Sequence, residues 1–174
     1  MTGTERLKMA PLGHADADEL LAALDDPVVG EYLGGPDVTT IDALHARIDR
    51  VRLGPPADRP DERWLNYVVR RTDDDVLVGR IEATTYGDWA EVAYVFGPAH
   101  WGNGYACEAM SWLVDDLMAN RHVTQVWATV DPRNQRSRRL LERLGFTIDT
   151  EPQRRPASFE DGDLVYGLGH RFQH

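Results

Sequence analysis

The sequence predicts a mixed α/β fold in which helices flank a mostly antiparallel sheet. Three features support this prediction: two early segments with helical spacing of apolar residues, a run of segments with alternating apolar residues, and a strand-helix-strand unit further along the chain. Strands joined by short turns pair antiparallel, whereas strands joined through a helix normally pair parallel. We therefore expect an antiparallel meander followed by one parallel pair.

Two amphipathic helices are predicted in the N-terminal part of the chain. The first begins near Asp16, which can act as an acidic cap, and is stopped by Pro27. The second is capped by Thr39 or Thr40 and is ended by Gly54. Apolar residues at helical spacing follow each of these starts, so both helices should bury one face.

The remaining elements follow from later changes in apolar spacing. A third helix runs from Gly104 to about Asn120, and a fourth begins at Asn134, which can cap it, and ends before Gly145. Strand-like or extended segments are predicted over residues 7–12, 64–70, 76–85, 91–96, 123–130 and 164–168.

Length, charge and cysteine content restrict the class of protein. A chain of 174 residues suits one domain, residues 1–174, which can bury a core without metal or disulfide staples. With 19 Lys and Arg against 29 Asp and Glu, the net charge of −10 argues against a nucleic-acid partner, which needs clustered basic residues. The lone Cys107 cannot form an internal disulfide, and no stretch approaches the roughly 20 apolar residues of a membrane span. We expect a cytoplasmic protein with no membrane partner.

A glycine pair before the third helix indicates an anion site. Glycines such as Gly102 and Gly104 let backbone N–H groups approach an anion closely, and the helix start adds unpaired donors. A structural turn explains the same pair equally well. The nucleoside-triphosphate loop is excluded because its Gly-Lys-Ser/Thr is missing, and the dinucleotide pattern fails where Cys107 stands in place of Gly or Ala.

Two longer motifs resemble those of a known family. Residues 101–109 read WGNGYACEA, and residues 131–146 read DPRNQRSRRLLERLGF. Together they resemble the two signature motifs of the Gcn5-related N-acetyltransferases (GNAT), the first of which is a Q/R-x-x-G-x-G/A loop. Runs at residues 26–29, 32–35, 78–81 and 164–168 resemble those of the ribosomal-protein-alanine N-acetyltransferase branch. Trp101 departs from the usual Gln or Arg, and Asn103 stands where relatives often carry a basic residue.

The resemblance implies a GNAT fold whose parallel strands splay apart to hold acetyl-CoA, with no metal. It places the pantetheine arm beside the backbone of Val95, Phe96 and Gly97. The loop and helix residues that it assigns to CoA are Trp101, Gly102, Asn103, Gly104, Tyr105, Ala106, Cys107, Asn134 and Ser137. The backbone N–H groups of the glycine loop would bind the pyrophosphate.

Two residues are candidates for catalysis. In the resembling branch a serine at the position of Ser137 protonates the departing CoA thiolate; the alternative is a local capping partner of Asn134. Acetyl transfer also needs a base for the amine proton, for which Glu91 is the first candidate and a solvated strand-end carboxylate the alternative reading. Cys107 invites a role as covalent nucleophile, but no local signature ties a histidine to it.

The function expected from the resemblance is transfer of an acetyl group from acetyl-CoA to a primary amine by direct attack. The amine belongs to a protein N-terminus or to a small molecule, and the acidic stretches at residues 16–26 and 82–91 point weakly to a cationic acceptor. Two alternatives stay open: a non-catalytic acyl-CoA-binding sensor, and a relative that uses another acyl donor. The sequence also leaves open whether the chain forms a homodimer.

Overall fold

The computed structural model describes residues 2–33, 40–152 and 156–169. Its centre is an eight-stranded sheet in the order β1-β2-β3-β4-β5-β6-β8-β7, in which β5 and β6 are parallel and the other neighbouring strands are antiparallel. The predicted mixed α/β fold with a mostly antiparallel sheet is therefore confirmed. The strands are β1 (Thr2–Gly3), β2 (Leu7–Pro11), β3 (Glu62–Arg71), β4 (Leu77–Tyr86), β5 (Trp89–Phe96), β6 (Gln125–Val130), β7 (Thr147–Ile148) and β8 (Leu164–Gly169).

The four helices begin and end close to the residues that the sequence predicts. They are α1 (Ala17–Leu24), α2 (Ile41–Leu53), α3 (Tyr105–Asn120) and α4 (Gln135–Arg143). Thr40 caps α2, because its Oγ1 accepts a hydrogen bond from Ala43 N at 3.1 Å. The other predicted cap, Thr39, lies outside the described residues. Gly54 ends α2 with a positive φ of 77°, which glycine adopts without strain.

Helices cover both faces of the sheet. On one face, α3 and α4 pack through a core that includes Leu113, Val126 and Leu141. On the opposite face, α1 and α2 bury Leu20 and Ile48 against the sheet. Successive residues of a strand point to opposite faces, so β5 sends alternate side chains towards the two helical layers. Within the described parts of the chain, no helix combines the length and apolar character needed to cross a membrane.

The parallel pair separates along its length. The register joins β5 to β6 only at Trp89↔Gln125, Ala90↔Val126 and Glu91↔Trp127. Beyond Glu91, β5 continues to Phe96 in register with β4, and β6 continues to Val130 in register with β8. The two strands therefore diverge at the centre of the sheet, as the resemblance implies, and the gap between them opens towards the starts of α3 and α4.

Candidate active site

A cleft of about 1010 Å³ lies where β5 and β6 separate. Its walls come from the second halves of both strands, the loop before α3, the first turns of α3 and α4, and side chains from residues 28–33 and 158–163. Most of the residues that the sequence assigns to CoA line this cleft. The described residues that were assigned to the site but lie outside its lining are Glu91, Gly97 and Asn103.

The glycine loop at one end of the cleft has an unusual backbone. Gly102 and Gly104 both have a φ of 80°, in the left-handed region that favours glycine. Gly104 immediately precedes α3 and has no side chain to cap the helix, so the first-turn N–H groups have no partner within the helix. A Cβ atom at Gly102 would meet nothing within 4 Å, which shows that the space beside this backbone is open. The loop is thus shaped to receive an anion at the positive end of α3.

The loop is held in place from outside the cleft. The Asn103 side chain donates to the carbonyls of His100 and Trp101 at 3.1 and 3.2 Å. Arg6, between β1 and β2, donates to the Asn103 carbonyl at 3.1 Å and forms an ion pair with Glu108 in the first turn of α3. Burial opposes ionisation of Glu108, but hydrogen bonds from Thr4 and Arg6 outweigh it and lower the pKa of that carboxyl. The Asn103 side chain and carbonyl therefore support the loop.

The backbone of β5 determines which groups face the gap. The N–H of Gly97 donates to the Val78 carbonyl at 3.0 Å, which turns the polar backbone groups of Gly97, and by alternation those of Val95, towards β4. The backbone groups of Tyr94 and Phe96 consequently face the gap. The Phe96 carbonyl accepts a hydrogen bond from Trp101 Nε1 at 2.7 Å. The geometry therefore shifts the expected backbone contacts from Val95 and Gly97 to Tyr94 and Phe96.

A positive charge from α4 lies against Trp101 at the edge of the glycine loop. The Arg136 guanidinium of α4 lies 4.2 Å from the centroid of the Trp101 ring, within the range of a cation-π interaction. Arg136, Arg139 and Arg143 all line the cleft. These arginines place positive charge along the cleft.

The start of α4 carries the predicted acid. The prediction that Asn134 caps this helix is confirmed, because its Oδ1 accepts a hydrogen bond from Ser137 N at 3.1 Å. That contact uses the Ser137 backbone and leaves its hydroxyl to the Tyr94 hydroxyl, with an Oγ to Oη distance of 2.5 Å. Both residues line the cleft. Capping and a role for the Ser137 hydroxyl are thus compatible.

Tyr94 is a site residue that sequence reasoning missed. Burial raises its pKa to about 12, although the hydrogen bond to Ser137 acts in the opposite direction. The alternation of β5 places Tyr94 on the face opposite Glu91. What the sequence did not contain was the position of α4, which brings Ser137 onto that same face.

Glu91 is engaged with a loop. It is only 8% exposed, and its two carboxylate oxygens accept hydrogen bonds from Ala157 N and Ser158 N at 2.8 and 2.9 Å. The reading of Glu91 as a solvated strand-end carboxylate is therefore wrong. Its contacts anchor residues 156–158, from which Ser158 lines the cleft.

The cleft is also lined by acidic side chains. Four carboxylates line it: Glu31, Asp131, Glu160 and Asp163. Arg133 pairs with Asp131 at 2.5 Å and lies 5.8 Å from the ring centroid of Tyr32. The hydrogen bonds from Arg133 lower the pKa of Asp131 to about 2. The cleft is therefore lined both by arginines of α4 and by carboxylates, of which Asp131 is paired with Arg133.

Comparison with known proteins identifies the family of the chain. The chain matches the family described as "Acetyltransferase (GNAT) domain" over residues 6–147. It is 29% identical over 147 residues to the "Uncharacterized N-acetyltransferase p20" of Bacillus licheniformis, covering 82% of this chain and 80% of the relative.

Solved structures show the same fold. An acetyltransferase (GNAT family) from Bacillus anthracis has a TM-score of 0.77 at 20% identity, covering 97% of this chain and 98% of that chain. RimL, a ribosomal L7/L12 alpha-N-protein acetyltransferase in complex with coenzyme A, has a TM-score of 0.77 at 12% identity, covering 97% and 96%. The fold and the family match define an acetyltransferase. The chain belongs to the GNAT family.

Proposed function

We propose that residues 1–174 form one N-acetyltransferase domain that moves an acetyl group from acetyl-CoA to a primary amine. The observation that carries the proposal is the divergence of β5 and β6 beside the uncapped start of α3. A strand gap supplies backbone groups for an extended arm, and a helix start supplies N–H donors for a phosphate. One molecule with a pyrophosphate and an amide-containing arm suits both.

The residues lining the cleft suggest an orientation for acetyl-CoA. The N–H groups of residues 102–107 would hold the pyrophosphate, with Arg136 adding charge from α4. The backbone groups of Tyr94 and Phe96 would pair with pantetheine in the manner of an added strand. The thioester would then lie near the narrow end of the gap, beside Ser137.

The chemistry that fits this orientation is direct attack. The neutral amine attacks the thioester carbonyl, and a backbone N–H of β5 polarises the carbonyl oxygen. As the C–S bond breaks, its electron pair moves to sulfur, where the Ser137 hydroxyl donates a hydrogen bond or a proton. Glu91, the predicted base, takes the proton that the amine nitrogen loses, and solvent carries a proton back to Ser137, so that one proton leaves the amine and one reaches sulfur. The Glu91 oxygens also accept hydrogen bonds from Ala157 N and Ser158 N, which anchor that loop.

The acceptor that the cleft favours is a cationic amine. Of the carboxylates that line the cleft, Glu31, Glu160 and Asp163 would attract a protonated amine or a basic peptide. RimL is described as an acetyltransferase of a ribosomal protein N-terminus. Together with the branch resemblance, this makes a protein N-terminus our preferred acceptor, with a polyamine or another small amine as the alternative.

The test follows free thiol while the protein is incubated with acetyl-CoA and a panel of amines. The panel includes N-terminal peptides, polyamines and aminoglycosides, and calorimetry measures acetyl-CoA binding in parallel. We expect thiol release above the rate without acceptor for at least one amine. Binding of acetyl-CoA without turnover on any amine would contradict the proposal and favour the acyl-CoA sensor, and turnover with only a longer acyl-CoA would identify another donor.

A further inference from the structure

The Tyr94 hydroxyl contacts Ser137 more closely than any other described side chain does. It lies 2.5 Å from Ser137 Oγ and 3.3 Å from the Ser137 carbonyl oxygen. Oγ is the nearer of the two oxygens, and either hydroxyl can be the donor in this shorter contact. Because the Ser137 N–H is already bonded to Asn134, Tyr94 and Asn134 together fix the residue at both its backbone and its hydroxyl.

The environment of Tyr94 keeps its phenol able to donate a hydrogen bond. Burial raises the pKa of the phenol to about 12, so Tyr94 keeps its proton at ordinary pH and remains a donor. When Ser137 Oγ accepts from Tyr94, the serine's own hydrogen is left to point elsewhere. Ser137 lines the cleft.

We propose that Tyr94 is a positioning residue that orients the Ser137 hydroxyl hydrogen into the strand gap, towards the sulfur of the bound thioester. This inference rests on the proposed function. Tyr94 does not itself give up a proton. It donates a hydrogen bond to Ser137 Oγ throughout, while Ser137 donates to the sulfur that receives the electron pair of the broken C–S bond.

The position of Tyr94 within β5 supports this role. Its backbone faces the gap between β5 and β6, and its side chain reaches α4 on the opposite side of the same gap. One residue therefore joins the strand that would hold pantetheine to the helix that carries the acid. A change in the distance between β5 and α4 would therefore move Ser137 relative to the sulfur.

The first test compares Tyr94→Phe with Tyr166→Phe. Tyr166 is a buried tyrosine of β8 whose hydroxyl also bonds α4, through Arg138 and Glu142, so it controls for a general loosening of that helix. We expect Tyr94→Phe to lower kcat about tenfold to a hundredfold with little change in the KM for acetyl-CoA. Tyr166→Phe should leave kcat within about twofold of wild type. Adding Ser137→Ala to Tyr94→Phe should lower kcat little further, because both changes remove the same hydrogen bond from Ser137 to sulfur.

The second test does not need turnover. Ultraviolet absorbance of the thiolate gives the pKa of the CoA thiol bound to the protein, which a hydrogen bond from Ser137 to sulfur should lower. We expect the thiol pKa in wild type and in Tyr166→Phe to lie about one pH unit below its value in Tyr94→Phe and Ser137→Ala.

The two tests separate the inference from the proposed function. If wild type transfers acetyl groups but Tyr94→Phe matches it in kcat and in thiol pKa, the role of Tyr94 is wrong and the function stands. If no amine is acetylated but the thiol pKa depends on Tyr94, the function is wrong and the orientation of Ser137 stands. Equal losses in Tyr94→Phe and Tyr166→Phe would show that Tyr94 only packs α4, and failure to bind CoA would overturn both proposals.

Discussion

The starts of α3 and α4 stand on either side of the same cleft and are built differently. Each helix follows a strand of the parallel pair, through a short loop. α3 begins after Gly104, which has a left-handed backbone and no side chain, whereas α4 begins after Asn134, whose side chain accepts from Ser137 N. The start of α3 has no side chain that caps its backbone donors, whereas at the start of α4 the Asn134 side chain satisfies one of them.

The difference assigns separate tasks to the two helix starts. An uncapped start with open space beside it can bind an anion through N–H groups, without help from any particular side chain. A capped start has a rigid first turn, so it can hold a hydroxyl in a fixed place. The charges follow the same division: Glu108 in α3 is paired with Arg6 outside the cleft, whereas Arg136 of α4 lies over Trp101 at the edge of the loop.

The largest expected effect comes from removing the backbone freedom of the α3 start. Gly104→Val places a β-branched side chain at a φ of 80° and should abolish measurable CoA binding, because the N–H groups can no longer adopt this arrangement. Gly87→Val is the matched control, since Gly87 has a φ of 69° in the turn between β4 and β5 and does not line the cleft. Calorimetry with CoA checks both variants, and circular dichroism confirms that they fold. Unchanged affinity in Gly104→Val would refute the anion site.

A smaller effect, on rate rather than binding, is expected at the α4 start. Ser137→Ala removes the hydroxyl but leaves the backbone N–H that Asn134 caps, so the helix should be retained. We expect kcat to fall by roughly ten- to a thousandfold with little change in the KM for acetyl-CoA. Ser111→Ala, in the middle of α3, serves as the control. An unchanged kcat in Ser137→Ala would show that the Ser137 hydroxyl takes no part in the reaction.

The smallest effect concerns the stability of the α3 start. Because the pKa of Glu108 is lowered in the folded protein, its stabilising effect is present above the unfolded value of about 4.3 and is lost as the pH falls through the folded value. Glu108→Gln should therefore reduce the free energy of unfolding at neutral pH by about 0.5–1 kcal/mol, given the partial exposure of Arg6. Urea unfolding at several pH values should show the difference from wild type vanishing in acid. A difference that grows as the pH falls would contradict the assigned pairing.

Much of the fold could be predicted because its signals are local. Thr40 and Asn134 cap helices, and Gly54 and Gly145 follow helix ends with positive φ, all within a few residues of the elements that they delimit. The period of apolar residues likewise located the strands of the meander. By contrast, β8 lies between β6 and β7, an order that no local pattern contains.

The candidate site likewise contains some features that local sequence predicts and others that it does not. The glycine loop was visible because a phosphate site needs residues that are consecutive in sequence. The separation of β5 and β6 was expected only from the resemblance, since the residues of both strands read as ordinary strand sequence. The sequence did not reveal the hydrogen-bond partners of Glu91, because Ala157 and Ser158 come from a loop more than sixty positions away.

The sequence by itself determined the helix starts, the glycine loop and the excess of acidic over basic residues, because each depends on residue type and near neighbours. Only the tertiary structure decided which side chains meet across the cleft. Tyr94 and Ser137 are 43 positions apart, and they touch because the β4–β5 register sends Tyr94 to the face on which α4 packs. Contacts of this kind depend on how sheet and helix are placed together, so their chemistry appears only once the chain has folded.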